Sequence, residues 1–307
     1  MSDNIRGALI MMAAMMCFTL NDTLTKTLAG ALPPHQVLVM RNGLTTLVLL
    51  AASLHLGHLR LKLPRRDRGL ILARGLAEAA SAYFFLNALF HLPLANVTAV
   101  VQSLPLAVTL AAAVFLKEPV GWRRASAIAV GFVGVLLILR PGPEGFSLYS
   151  FYSLMAVLVV TLRELFTRQV AADVPSMLIT TVTSATVFIS ALLYGGAVGG
   201  WVAPTAGQWA TVGAAAAIIL VAYLASVVAM RVGEVSFVSP FRYVSLLWAL
   251  LLGWLVFGDW PGPVTLLGGA IVIGSGLFMI WREQRIARRS VATEAAAETA
   301  GSGRGLK

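Results

Sequence analysis

Cysteine is nearly missing from this chain: Cys17 stands alone among 307 residues, which excludes an internal disulfide and any cysteine metal cluster. Charge is scarce too, at 12% of residues against 58% hydrophobic, and the mean hydropathy is +0.84. A soluble chain of this length could not cover its surface with so few polar side chains, so the composition describes a polytopic membrane protein. No glycine-rich loop followed by Lys and Ser or Thr is present, so there is no phosphate cradle for ATP. The four histidines, His35, His55, His58 and His91, sit at the ends of apolar runs without acidic partners at ligand spacing. No Ser/His/Asp set falls on one cavity by spacing. The expectation is therefore no catalytic residue, no metal and no cofactor.

Long apolar runs are what the chain does have. Ten occur, at 7–28, 36–56, 69–90, 94–116, 122–140, 148–168, 176–198, 208–230, 235–257 and 262–281. Each is long enough to cross a bilayer as a helix, and longer than the alternating segments of a membrane barrel. Turn residues separate them: Pro33-Pro34, Pro64, Pro141-Gly142-Pro143, Pro175, Pro204 and Pro261-Gly262-Pro263. The first run is not read as a cleaved signal peptide, although Ala29-Gly30-Ala31 resembles a cleavage site. Asn21, Asp22 and Lys26 interrupt the apolar core that such a peptide needs.

The net charge of +10 is a topology signal rather than a nucleic-acid surface. Seventeen of the 23 Lys and Arg residues fall on one side of the spans, in short loops and at the two ends. That side is expected to be the cytoplasm, with both termini in it. Residues 287–307, rich in Ala, Glu and Gly, are expected to form a disordered tail.

Shifting the chain on itself by 141 residues superposes the spans one to one. Pro34 falls on Pro175, Thr45 on Thr186, Val97 on Val238, Leu106 on Leu247, Leu110 on Leu251, Gly121 on Gly262 and Glu118 on Asp259. Five spans per half is odd, so the second half enters the membrane upside down. The fold expected is all-α, ten transmembrane helices in two inverted repeats, 1–141 and 142–286. Repeats of this kind place a solute site near the midplane.

The fourth and ninth spans carry helix breakers, Pro105 and Pro240. Arg242 beside Pro240 is an expensive intramembrane charge, and such a charge next to a break marks a pathway. Gln102, Asn96, Tyr83 and Tyr243 are expected to share a solute site with it. Other ionisable residues inside spans are candidates for coupling or ion pairing. Asp22 and Lys26 share a helix face and can pair; Arg74 and Glu78 are likewise four apart, and Arg74 can also snorkel to the inner surface. Arg41 opens the second span. Arg163 and Glu164, adjacent on the sixth, point about 100° apart, so at least one must find a partner on another helix. The glycines of the fifth and tenth spans, Gly131, Gly134, Gly268, Gly269, Gly274 and Gly276, favour close helix contact, within the chain or in a homodimer.

These features together resemble the EamA-like ten-helix members of the drug/metabolite transporter superfamily, over nearly the whole chain. The residues that carry the resemblance are Asn21-Asp22 with Lys26, Pro34 to Arg41, Pro105 with FLKEP at 115–119 and Gly134 after it, and VFGDW at 256–260. The run Pro240-Phe241-Arg242-Tyr243 looks like that of bacterial members taking up S-adenosylmethionine; related carriers move riboflavin, and others export amino acids. Asp259 departs from the glutamate usual in the second half. The resemblance implies secondary active transport of a small organic solute across a bacterial-type cytoplasmic membrane. It also implies a cavity between spans 3, 4, 8 and 9 with 1 and 6 beside them. An anionic or zwitterionic solute would suit Arg41 and Arg242; a cationic one would need Asp22, Glu78 or Glu164 unpaired. A membrane scaffold without a solute path, or a lipid enzyme, are the alternatives.

Overall fold

The computed structural model describes residues 3–57, 63–118, 120–139, 147–171 and 173–302. Arg60, Lys62, Arg140 and the Pro141-Gly142-Pro143 turn lie outside them. Among the described residues all regular structure is helical, and ten helices are long and apolar enough to cross a membrane. They are α1 (Asp3–Lys26), α2 (Pro34–His55), α3 (Arg65–His91), α4 with α5 (Leu94–Val101 and Leu104–Phe115), α6 (Trp122–Leu139), α7 (Leu148–Gln169), α8 (Ser176–Val198) and α9 (Ala206–Val232). The ninth span is α10 (Val235–Val238), a 3-10 turn (Ser239–Tyr243) and α11 (Val244–Phe257); α12 (Pro263–Ser302) is the tenth.

Proline sets the starts. Pro33, Pro64, Pro93 and Pro175 precede α2, α3, α4 and α8 as N-caps, where a missing N–H costs nothing. Pro105 is the second residue of α5 and Pro240 lies in the 3-10 turn, so both spans are in pieces where a proline interrupts the ladder. The two interruptions touch: Gln102 Nε2 donates to the Arg242 carbonyl at 3.2 Å.

Helices pair across the midpoint of the chain. α1 packs along α9, and α3 along α7; α2 packs on α8, and α6 on α12. Exchanging the first five spans for the last five turns the α1/α9 pair into the α7/α3 pair and returns the other two to themselves. Two helix ends match in the same way. α5 ends at Lys117, φ 56°, with Glu118 N–H on the Ala112 carbonyl at 3.3 Å; α11 ends at Gly258, φ 69°, with Asp259 N–H on the Gly253 carbonyl at 3.0 Å. Both are left-handed caps closed by a bond six residues back, and they lie 141 residues apart. Lys117 accepts a conformation that costs a side chain and suits glycine.

The glycines of α6 and α12 are used inside the chain. A Cβ on Gly134 would stand 2.8 Å from the Gly268 carbonyl, and one on Gly268 only 2.6 Å from the Gly134 carbonyl. Gly131 abuts Leu106, and Gly276 abuts Tyr243. Large apolar side chains such as Leu47, Leu193, Leu224 and Trp122 are exposed on the outside of the bundle, which fits contact with lipid.

Candidate functional site

Side chains of opposite charge collect between α3 and α7. Arg163 of α7 donates to Glu78 of α3 at 2.5 Å, and through its other terminal nitrogen to Glu164 beside it. Arg74 and Glu78, four apart on α3, do not pair with each other. Arg74 donates instead to the hydroxyl of Thr167 at 2.9 Å and to that of Thr183, both one helix away. Arg163 takes Glu78 because its planar fork spans two carboxylates at once, which the i,i+4 neighbour on α3 does not reach.

Asp22 and Lys26, which share a face of α1, do not pair either. Lys26 donates to the carbonyls of Leu89 and Leu92 at 2.9 and 2.6 Å, at the C-terminal end of α3, and lies 5.3 Å over the Phe257 ring. A cation there meets the last unpaired carbonyls and the negative end of the helix dipole. Asp22 is left with one hydrogen bond, from the Asn21 amide at 3.0 Å, and the positive charge of Arg41 acts on it. Among the described residues neither Asp22 nor Arg41 belongs to an ion pair.

Tyr223 of α9 is 50% exposed, and the charges that act on it, Glu78, Arg163, Arg41 and Asp22, come from four different helices. The Phe18 ring stands edge-on to it at 5.1 Å, and its hydroxyl has no hydrogen-bond partner among the described residues. The sequence offers Tyr223 only as one aromatic among several. Nothing in the spacing of α9 marks it, because its partners are on other helices.

A cavity of about 360 Å³ lies between α2, α3 and α8, lined by His35, Leu76, Ala79, Ala80, Tyr83 and Tyr194 among others. It uses the face of α3 opposite Glu78, since residues 76 and 80 each stand about 200° from residue 78 around the helix. None of Asp22, Arg41, Glu78 and Arg163 lines it.

The residues expected around Arg242 part company. Arg242 is exposed, and Gln102 reaches its backbone rather than its guanidinium. Tyr243 is a correction: it is buried, with its hydroxyl against Gly276 of α12, and does not line a space beside Arg242. Tyr83 belongs to an aromatic group with Phe84, Tyr152 and Tyr194, its hydroxyl 3.3 Å from that of Tyr194. Asn96 holds a buried side-chain oxygen without a partner. Glu118 meets Arg168 at 3.2 Å on the surface. Among the described residues no group of His, Cys, Asp or Glu could hold a metal ion.

Comparison with known proteins agrees with a carrier built on this plan. The S-adenosylmethionine uptake transporter of Rickettsia bellii is 27% identical over 281 residues, covering 88% of this chain and 92% of the relative. The riboflavin transporter of Vibrio cholerae is 29% identical over 291 residues, covering 93% and 96%. The pseudopaline exporter of Pseudomonas aeruginosa is 23% identical, covering 87% and 93%. A solved crystal structure shares the fold at a TM-score of 0.63 and 18% identity, over 92% of this chain and 98% of its own. The chain is a multi-pass membrane protein by its ten membrane-length helices, and its residues 5–140 match the model of the EamA-like transporter family.

Proposed function

We propose that this protein is a secondary active carrier that moves a small organic metabolite across the cytoplasmic membrane. Two inverted five-helix halves, 1–141 and 142–286, open alternately to the two sides, and both termini are cytoplasmic. The observation that carries the reading is the set of ionisable side chains held inside the spans, Glu78, Arg163 and Glu164 between α3 and α7 and Asp22 on α1. Burying so many charges in a membrane protein is costly, and lining a solute path is the common reason for keeping them. The reciprocal pairing of α1 with α9 and of α3 with α7 supports the two-fold plan, as do the matching helix ends at Lys117 and Gly258. Relatives named as carriers of S-adenosylmethionine and riboflavin support a metabolite as cargo.

Coupling falls to Asp22 on this reading. Glu78 and Glu164 share Arg163, whereas Asp22 has no ion pair and is free to exchange a proton during the cycle. The test is uptake and efflux in vesicles holding the purified protein, with a metabolite panel that includes S-adenosylmethionine and riboflavin. Movement of one solute driven by a proton gradient, and loss of that drive in Asp22→Asn, is the expected result. A panel in which nothing moves in either direction overturns the carrier reading. Orientation is tested separately. A cysteine in the 196–207 loop is expected to react with an impermeant reagent from outside, and one at 63–66 is not.

A further inference from the structure

We infer that the cavity between α2, α3 and α8 is a binding site for a small neutral aromatic molecule, one or two rings with a single hydrogen-bonding group, of the phenol or indole class. Its walls hold no Asp, Glu, Lys or Arg, so a charged ligand would enter it without a partner. Size sets the number of rings. An engineered apolar cavity of about 150 Å³ takes benzene, and about 360 Å³ leaves room for two fused rings.

The walls favour a ring over a chain. Tyr83 stands edge-on to Tyr194 at 5.2 Å and to Phe84 at 5.7 Å, and His35 stands edge-on to Tyr194 at 6.0 Å. All four line the cavity. Rings set this way offer an entering ring both a face and an edge, and an acyl chain gains only area from them. The polar requirement comes from His35. The hydroxyls of Tyr83 and Tyr194, 3.3 Å apart, engage each other. His35 is only 6% exposed, and its Nε2 has no hydrogen-bond partner. An imidazole nitrogen donates or accepts according to the tautomer. A phenolic hydroxyl answers either tautomer, and an indole N–H answers a bare Nε2. Leu76 and Tyr194 line the cavity and are also exposed, as are Leu72, one turn from Leu76, and Leu193 on the outside of the bundle. A ligand dissolved in the bilayer therefore reaches the mouth directly. α2 and α3 come from the first half of the chain and α8 from the second, so a bound ring touches both. On the carrier reading it acts as a brake that holds the halves in one arrangement, and it is not the cargo.

The experiment titrates 2-naphthol, naphthalene and 1-decanol into the full-length protein in phosphatidylcholine nanodiscs, with empty discs subtracted. 2-Naphthol is expected to bind saturably. It should bind about tenfold tighter than naphthalene, which lacks the polar group, and about tenfold tighter than decanol, which lacks the rings. His35→Phe is expected to erase the preference for 2-naphthol over naphthalene, and His35→Gln, which keeps a polar atom, to retain part of it. Ala80→Trp, which fills the cavity, is expected to remove saturable binding of both ring compounds; Ala79→Phe serves where the tryptophan does not insert. No saturable binding of 2-naphthol overturns the inference. So does equal binding of decanol, which makes the cavity a groove for lipid chains, or equal binding of naphthalene, which leaves His35 without a role. Binding that survives both filling variants places the ring elsewhere and overturns it too. For any solute that the metabolite panel shows to move, 2-naphthol should lower the maximal rate without raising KM; a rise in KM alone would put the ring in the solute path and overturn the separate site. If no solute moves, the carrier reading falls and the binding results alone decide the site.

Discussion

A shift of 141 residues sets position 22 on α1 against position 163 on α7, and the two have opposite fates. On α7 it is an arginine whose two terminal nitrogens are met by Glu78 and Glu164. On α1 it is an aspartate with one amide donor and a cation that does not close on it. One half holds its charge as structure and the other holds its charge in reserve. The difference teaches that intramembrane charge is not one category. A saturated network fixes how two helices pack, and an unsaturated group is where a solute or a proton has something to gain.

The largest effect should come from breaking the saturated side. Arg163→Gln leaves Glu78 and Glu164 together without a cation, and should lower stability by about 3 kcal/mol. Thermal unfolding of the purified protein in detergent measures it. Glu78→Gln added to that variant should recover part of the loss, because one stranded anion is then gone; no recovery would mean that the triad is not a unit. On the reserve side, Asp22→Asn should leave the unfolding temperature close to wild type while proton-driven transport is lost. A fall comparable with that of Arg163→Gln would erase the contrast between the two positions. The smallest effects concern the matched helix ends. Lys117→Gly should stabilise by roughly 0.5–1 kcal/mol, since glycine takes positive φ at no steric cost. Gly258→Ala should destabilise by about 1 kcal/mol for the same reason. Equal signs for the two would show that the ends are not equivalent.

The spans were legible because an apolar run is a local property, and the ten runs in the sequence meet the ten helices within about four residues at each end. The interruptions at Pro105 and Pro240 were legible for a local reason as well, the missing N–H. Partner choice was not. Helical spacing makes Asp22 and Lys26 neighbours, but a lysine stem is long enough to reach Leu89 and Leu92 on α3, and it does. Glu78 finds Arg163 across 85 positions of sequence, a separation that carries no periodic signal. Tyr243 was placed beside Arg242 because it follows it in the chain. In the tight 3-10 turn successive residues point about 120° apart, which sends Tyr243 to Gly276 and leaves Arg242 exposed.

The contact of Gly134 with Gly268 has a consequence for how the protein is made. Each glycine lies where the other's carbonyl permits no side chain, so the two backbones meet directly. A ribosome delivers Gly134 long before Gly268, and α6 must wait in the membrane through the synthesis of four further spans. During that interval its glycine face has only lipid, or another helix's small residues, to lie against. The first half is therefore an unfinished product until the last span inserts. Chains stalled or truncated before residue 268 should be the ones that quality-control proteases remove.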